Sequence, residues 1–303
     1  MNETAAARDR ALGCFLGLAV GDALGTTVEF RQRGTFAPVT DMVGGGPFRL
    51  QPGQWTDDTS LALCLAESLL HDPALDPADF MTRCLRWYRH GENSSTGTCF
   101  DIGAATRAAL ARFEATGDPM AGDPSPNAAG NGSVMRLAPV AVRHWRTPRL
   151  AEAVAERQSA CTHATPVAVS GCALLSEVLC GLLAGRGAAA LTPRGAKGWP
   201  PRIRAIAGGK WRGLPVGAIS SSGYVVHTLE AAMWAVDGAK DFREAVLRAV
   251  NLGDDADTVG AVAGMVAGAQ WGLSGIPPEW RERLHDAARL QGLAEALWEA
   301  GAG

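Results

Sequence analysis

The sequence predicts an all-α protein folded as one compact helical bundle. Three observations carry that expectation. Apolar residues recur at helical spacing in segment after segment along the 303 residues. Runs of strict apolar/polar alternation, the mark of a half-buried strand, are missing. Glycines recur every four residues in two apolar stretches: Gly13, Gly17, Gly21 and Gly25 near the start, and Gly260, Gly264 and Gly268 near the end. A glycine inside a helix costs about 1 kcal/mol against alanine. The compensation expected here is close approach of a neighbouring helix backbone.

The first helix is read over 11–25, ALGCFLGLAVGDALG, with its glycines along one face and Asp22 bonded inside the core. Further helices are expected at 59–71, 77–90, 101–116, 149–160, 165–184, 224–237 and 241–250. A glycine-spaced helix at 259–272 and a last helix at 279–300 follow. Pro77 and Pro278 stand where a first-turn proline is tolerated. Gly- and Pro-rich loops separate these segments at 31–55, 117–133 and 185–217. No linker divides the chain and no repeat goes beyond the glycine spacing, so residues 1–303 are read as a single domain.

Composition excludes several classes. Hydrophobic residues make up 47% and charged residues 19%, a balance that suits a globular chain and not a disordered one. A net charge of −3 gives no signal for nucleic acid. Thr258–Pro278 carries no charge, but its glycines, Gln270 and Ser274 suit a buried core helix better than a membrane span. The N-terminal MNETAAARDR lacks the pattern of a secretory leader. Seven scattered cysteines, odd in number and without a CxxC, argue against a disulfide framework or a zinc site. They point to a reducing compartment, the cytoplasm. The 185–217 stretch carries Arg186, Arg194, Lys197, Arg202, Arg204, Lys210 and Arg212, with no acid between Glu177 and Glu230. It is read as a solvated basic loop; attraction of an acidic ligand is the alternative.

The informative feature is where carboxylates cluster. Thr56-Asp57-Asp58-Thr59 opens the apolar run Leu61–Leu70, and Asp254-Asp255-Ala256-Asp257-Thr258 opens the second glycine-spaced helix. Helix capping explains one or two acids at each start, because Asp and Thr are good N-caps and acids suit the positive end of the helix dipole. It does not explain adjacent like charges, which repel unless a cation stands among them. The donors are hard oxygens with no His or Cys, a set suited to Mg²⁺, Mn²⁺ or Ca²⁺ and not to Zn²⁺ or Cu²⁺. Two such helix starts facing one another can hold two ions about 3.5–4 Å apart, grip vicinal hydroxyls and activate water for hydrolysis.

Five blocks in order resemble the ADP-ribosylglycohydrolase family, particularly its dinitrogenase reductase-activating glycohydrolase branch. They are ALGCFLGLAVGDALGTTVEF, GQWTDDTSLAL, AGNGSVMRLAPVA, CTHATP and NLGDDADTVGAVAGMVAGAQWG. The resemblance runs from about residue 10 to 280. It implies an orthogonal all-α bundle with two Mg²⁺ or Mn²⁺ ions in a central cleft. The ions would be held by Thr56, Asp57, Asp58, Asp255, Asp257 and Thr258. It places Glu29 facing the metal pair and Asp101 at the scissile ribose. It also sets Asn131, Gly132, Ser133 and Met135 along the pyrophosphate, with His163 and Tyr224 near the ADP-ribose.

Several of these have simpler readings. Gly130-Asn131-Gly132 suits a turn as well as phosphate contact through N–H groups. His163 suits a core or capping role, Tyr224 a helix start, and Asp101 the N-cap of the 101–116 helix. In the second cluster, the family pattern fits Asp255, Asp257 and Thr258, leaving Asp254 to project elsewhere.

The activity implied is hydrolysis of the bond between ADP-ribose and its acceptor, through an oxocarbenium-like transition state. Asp101 and Glu29 are both candidates for the acid–base group. The substrate would be an ADP-ribosylated protein, with arginine the acceptor favoured by the blocks, or a small ADP-ribosylated molecule. ADP-ribose is the product. A non-catalytic ADP-ribose-binding module is disfavoured because both acidic clusters are intact. A Mg²⁺-dependent phosphohydrolase would instead release AMP.

Overall fold

The computed structural model describes residues 3–193 and 198–302. Among them are thirteen α-helices and no strand; two isolated bridges, Gly45 with Leu50 and Gly130 with Tyr224, are the extended pairings. At the centre lie α1 (Glu3–Gly25) and α11 (Ala256–Trp271). They run antiparallel, because Gly13 meets Gly268, Gly17 meets Gly264 and Gly21 meets Gly260. A Cβ on Gly260 would stand 2.5 Å from the Gly21 carbonyl oxygen, closer than real Cβ contacts come. The two glycine stripes are thus one device, which brings the helices together backbone to backbone.

Around this pair pack the remaining helices. α2 (Asp57–His71), α3 (Pro77–His90) and α4 (Ala104–Thr116) lie on one side, with α5 (Ala138–His144) and α6 (Pro148–Thr162). α7 (Pro166–Leu183), α8 (Pro201–Ala207), α9 (Val225–Asp237) and α10 (Phe242–Val250) cover the other. α12 (Pro278–Arg283) and α13 (Ala287–Ala302) close the bundle against α1. The buried apolar side chains form one contiguous cluster. Two segments are long and apolar enough to cross a membrane, Glu3–Val28 and α7, and 94% and 72% of their apolar windows are buried inside the bundle. The uncharged 258–278 stretch is not one helix, since α11 stops at Gly272, whose φ is +78°.

Four sequence expectations need correction. The 101–116 helix begins at Ala104 with Gly103 as its N-cap, and Asp101 has φ +59°, outside the helical range. Residues 279–300 are two helices and not one. The break comes where Leu284 turns inward, the His285 N–H donates to the Gly53 carbonyl and Asp286 takes φ +48°. α5 was not expected, because six of its seven residues are buried and no polar face marks its period. The 185–217 stretch is not simply a solvated loop. It contains α8, and Arg186 donates to the Glu177 carbonyl, Arg202 lies over Tyr224 and Arg212 pairs with Asp237. Arg194 and Lys197 lie outside the described residues.

Candidate active site

Because α1 and α11 are antiparallel, the end of α1 meets the start of α11. The start of α2 is drawn to the same place. Asp22, in the last turn of α1, accepts from the backbone N–H and the hydroxyl of both Thr56 and Thr59, at 2.6–3.0 Å. Each oxygen takes two hydrogen bonds, which fills the carboxylate's four lone-pair positions. Glu29, just after α1, does the same service for α11: its Oε2 accepts from Ala256 N–H at 2.6 Å and Asp257 N–H at 3.2 Å. Capping of both helices is therefore supplied from a distant segment. Thr56 and Asp255, the N-cap residues themselves, make no side-chain cap bond. Apart from Asp257 Oδ1, which accepts the Thr258 N–H at 2.7 Å, the clustered acids are left over from that task.

Those acids converge. Carboxylate oxygens of Asp22, Asp58 and Asp257 lie within 4.8 Å of one another, and so do those of Glu29, Asp255 and Asp257. Asp257 is common to both groups. Asp58 Oδ1 is buried and accepts no hydrogen bond; the other oxygen lies 3.2 and 3.5 Å from the Thr56 and Thr258 hydroxyl oxygens. Burial pushes the carboxyls of Asp57 and Asp58 well above the usual range, those of Asp22 and Asp255 up to about 7, and that of Asp101 up to about 11. Glu29 is raised as well, and for all six the charge of Asp257 is the next cause. An all-oxygen donor set with an unpartnered buried oxygen and crowded like charges fits a hard divalent cation, which would let the acids ionise together.

Over this floor opens a cleft of about 1600 Å³. Glu29, Asp57, Asp101, Asp255, Asp257 and Thr258 line it, together with Asn131, Gly132, Met135 and His163. Asn131 Nδ2 donates to Asp255 Oδ2 and to Thr228, so it orients that carboxylate. Asp254 has φ +56° and is exposed, outside both carboxylate groups. Two candidates sit differently. Ser133 turns inward, where its hydroxyl accepts from Ser159 and Cys172. Tyr224 is the N-cap residue of α9, edge-on to His227, and its backbone pairs with Gly130. The Ser133 side chain and the Tyr224 backbone hold the 130–135 loop from behind, while Ser222 and Gly223 reach the cleft.

His163 packs beneath that loop. A Cβ on Gly132 would stand 2.7 Å from its Cε1, so only glycine lets the ring lie there. Burial and the nearby Arg136 lower its pKa to about 3, and Nδ1 bonds the Thr162 hydroxyl at 2.8 Å. A histidine depressed in the folded state takes a proton more readily when unfolded. Its stability contribution is present above pH 6.5 and is lost as pH falls toward 3. At pH 5 that loss is about 2 kcal/mol. In chelator, the drop in Tm from pH 7.5 to pH 5 should be smaller for His163→Asn than for the unsubstituted protein. Equal drops would mean that the ring is protonated in the fold.

The role of Asp22 was the part sequence reasoning missed. The sequence marks Asp22 as a core acid, which it is, but does not show that it anchors a second helix. The available signal was its place as an acid within an otherwise apolar, glycine-striped run.

Fold and cleft together define a class: helical proteins whose ligand cleft is floored by carboxylates gathered at the starts of two core helices. Within it, the ADP-ribosylglycohydrolase family pattern matches residues 3–303, and the chain belongs to that family. It is 46% identical over 290 residues to "ADP-ribosylarginine hydrolase Tri1" of Serratia proteamaculans (strain 568), covering 96% of this chain and 79% of that one. A relative of the same description in Pseudomonas putida (strain GB-1) is 48% identical, over 97% and 79%. The "ADP-ribosyl-[dinitrogen reductase] glycohydrolase" of Rhodospirillum rubrum is 36% identical, over 91% and 90%. A solved structure described as an ADP-ribosylglycohydrolase-related protein complex matches with a TM-score of 0.85 at 46% identity, over 97% of this chain and 99% of that one.

Proposed function

We propose that this protein, acting as a single domain, hydrolyses the N-glycosidic bond between ADP-ribose and an arginine side chain and releases ADP-ribose. The observation that carries this reading is the pair of buried carboxylate groups sharing Asp257 on the cleft floor. The arginine acceptor is supported by two relatives described as ADP-ribosylarginine hydrolases. Thr56, Asp57, Asp58, Asp255, Asp257 and Thr258 would hold two Mg²⁺ or Mn²⁺ ions. Bound there, the ions would supply charge to grip ribose hydroxyls and acidify water.

The remaining chemistry belongs to the chain. As the C–N bond breaks, its electron pair leaves with the guanidine nitrogen and a water oxygen bonds the anomeric carbon. A carboxylate accepts the water's proton and, as the acid so formed, passes it to the departing guanidine. Asp101 is the better candidate, because Glu29 spends one oxygen on capping α11 while Asp101 stands at the cleft on a loop. Asn131, Gly132, Met135 and His163 would line the ADP portion, with Ser133 and Tyr224 acting through the loop they support. Seven free cysteines suit a reducing compartment, and we place the protein in the cytoplasm.

Mass spectrometry of ADP-ribosyl-arginine and ADP-ribosyl-serine peptides incubated with enzyme and Mg²⁺ or Mn²⁺ tests the reading. Unmodified arginine peptide and intact ADP-ribose are expected, and chelation should stop both. Release of AMP would point to a phosphohydrolase instead. Full activity in demonstrably metal-free protein would remove the metal from the reaction.

A further inference from the structure

Three phenylalanines at the cleft belong neither to the core nor to the side chains packed on it: Phe30, Phe48 and Phe100. Phe30 is 67% exposed. Its backbone φ is +61°, a left-handed conformation that costs a bulky residue about 1–3 kcal/mol. Two backbone hydrogen bonds hold it there: Phe30 N–H to the Asp254 carbonyl at 2.7 Å, and Asp254 N–H to the Arg31 carbonyl at 2.8 Å. The rings form a chain, Phe30 edge-on to Phe48 at 6.2 Å and Phe48 tilted against Phe100 at 5.1 Å. An apolar ring left 67% exposed on a left-handed backbone gains little on folding beyond its edge contact with Phe48, so a ligand is the natural cover.

Their position narrows the ligand. Phe30 directly follows Glu29 and Phe100 directly precedes Asp101, so the rings flank the two acids on the cleft wall. From the carboxylates a substrate can extend over the phenyl rings or along the glycine loop at 130–132. The negative faces of phenyl rings repel phosphates, whereas a glycine loop leaves room for them. A guanidinium is planar, weakly hydrated and positive, and it stacks on such faces.

We propose that Phe30, Phe48 and Phe100 form an acceptor subsite that seats the guanidinium of an ADP-ribosylated arginine and favours it over a serine acceptor. This rests on the hydrolase reading above. A serine O-glycoside offers these rings neither charge nor a planar group.

Phe30→Ala and Phe48→Ala, each lying outside the core, test it in the metal-loaded enzyme. KM for an ADP-ribosyl-arginine peptide should rise about tenfold, with kcat nearly unchanged. Phe30→Trp should restore KM. Affinity for ADP-ribose, which lacks the acceptor, should stay as in the parent by calorimetry. An unchanged KM in both alanine variants overturns the subsite. A matching loss of ADP-ribose affinity overturns it differently, by placing the adenosine on these rings. If the parent enzyme leaves ADP-ribosyl-arginine intact, the hydrolase reading falls first and the subsite falls with it.

Discussion

Asp257→Asn should lower turnover by at least about 1000-fold, roughly 4 kcal/mol of transition-state stabilisation. The amide keeps the shape of the side chain and an acceptor for the Thr258 N–H, which now bonds Oδ1 at 2.7 Å. It removes the one charge common to both carboxylate groups. Two effects on stability should accompany it. Without metal the variant should melt higher than the parent, because the charge that raises six neighbouring carboxyls is gone. With Mn²⁺ the parent should gain stability by mass action, and the variant should gain little. Asp254→Ala is the control. It should still bind two ions and lose at most about tenfold in rate, or about 1.4 kcal/mol. A Mn²⁺ shift retained by Asp257→Asn and lost by Asp254→Ala would put the ligand register out of step.

Gly21→Ala should destabilise the fold by about 3 kcal/mol and lower Tm by several degrees. The added methyl would meet the Gly260 carbonyl, and a backbone carbonyl cannot swing aside as a flexible side chain can. Gly292→Ala supplies the opposite sign. That glycine lies on the solvent face of α13 with nothing within 4 Å of a built Cβ. Alanine there should raise stability by about 0.5–1 kcal/mol through helix propensity. Thermal or urea unfolding of both variants separates the cases. A neutral Gly21→Ala would mean that the two helices can part without penalty.

Both central helices and both acidic starts were legible in the sequence because their signals are local. Four-residue glycine spacing can be read without knowing the partner, and adjacent acids before an apolar run announce themselves. What stayed hidden depends on distant residues. Nothing near Thr56 says that its capping acid is Asp22, and nothing near Ala256 names Glu29. Short elements were hidden for a different reason. α5 is buried nearly all round, so it has no polar period, and α8 sits among glycines and basic residues that read as loop. The break at 284–286 carries neither Gly nor Pro. Asp286 takes its left-handed conformation from the surroundings.

The pairing of Gly21 with Gly260 also bears on how the chain matures. During synthesis, α1 emerges well before its partner, with a largely apolar surface, and α11 follows more than two hundred residues later. At about 5–20 residues per second that is a wait on the order of tens of seconds. For that time Asp22 can already hold the start of α2, but Glu29 has no partner, since Ala256 and Asp257 are not yet made. A ribosome-bound fragment that ends before α11 should therefore be inert, and α1 should be a prime binding stretch for chaperones that recognise exposed apolar segments.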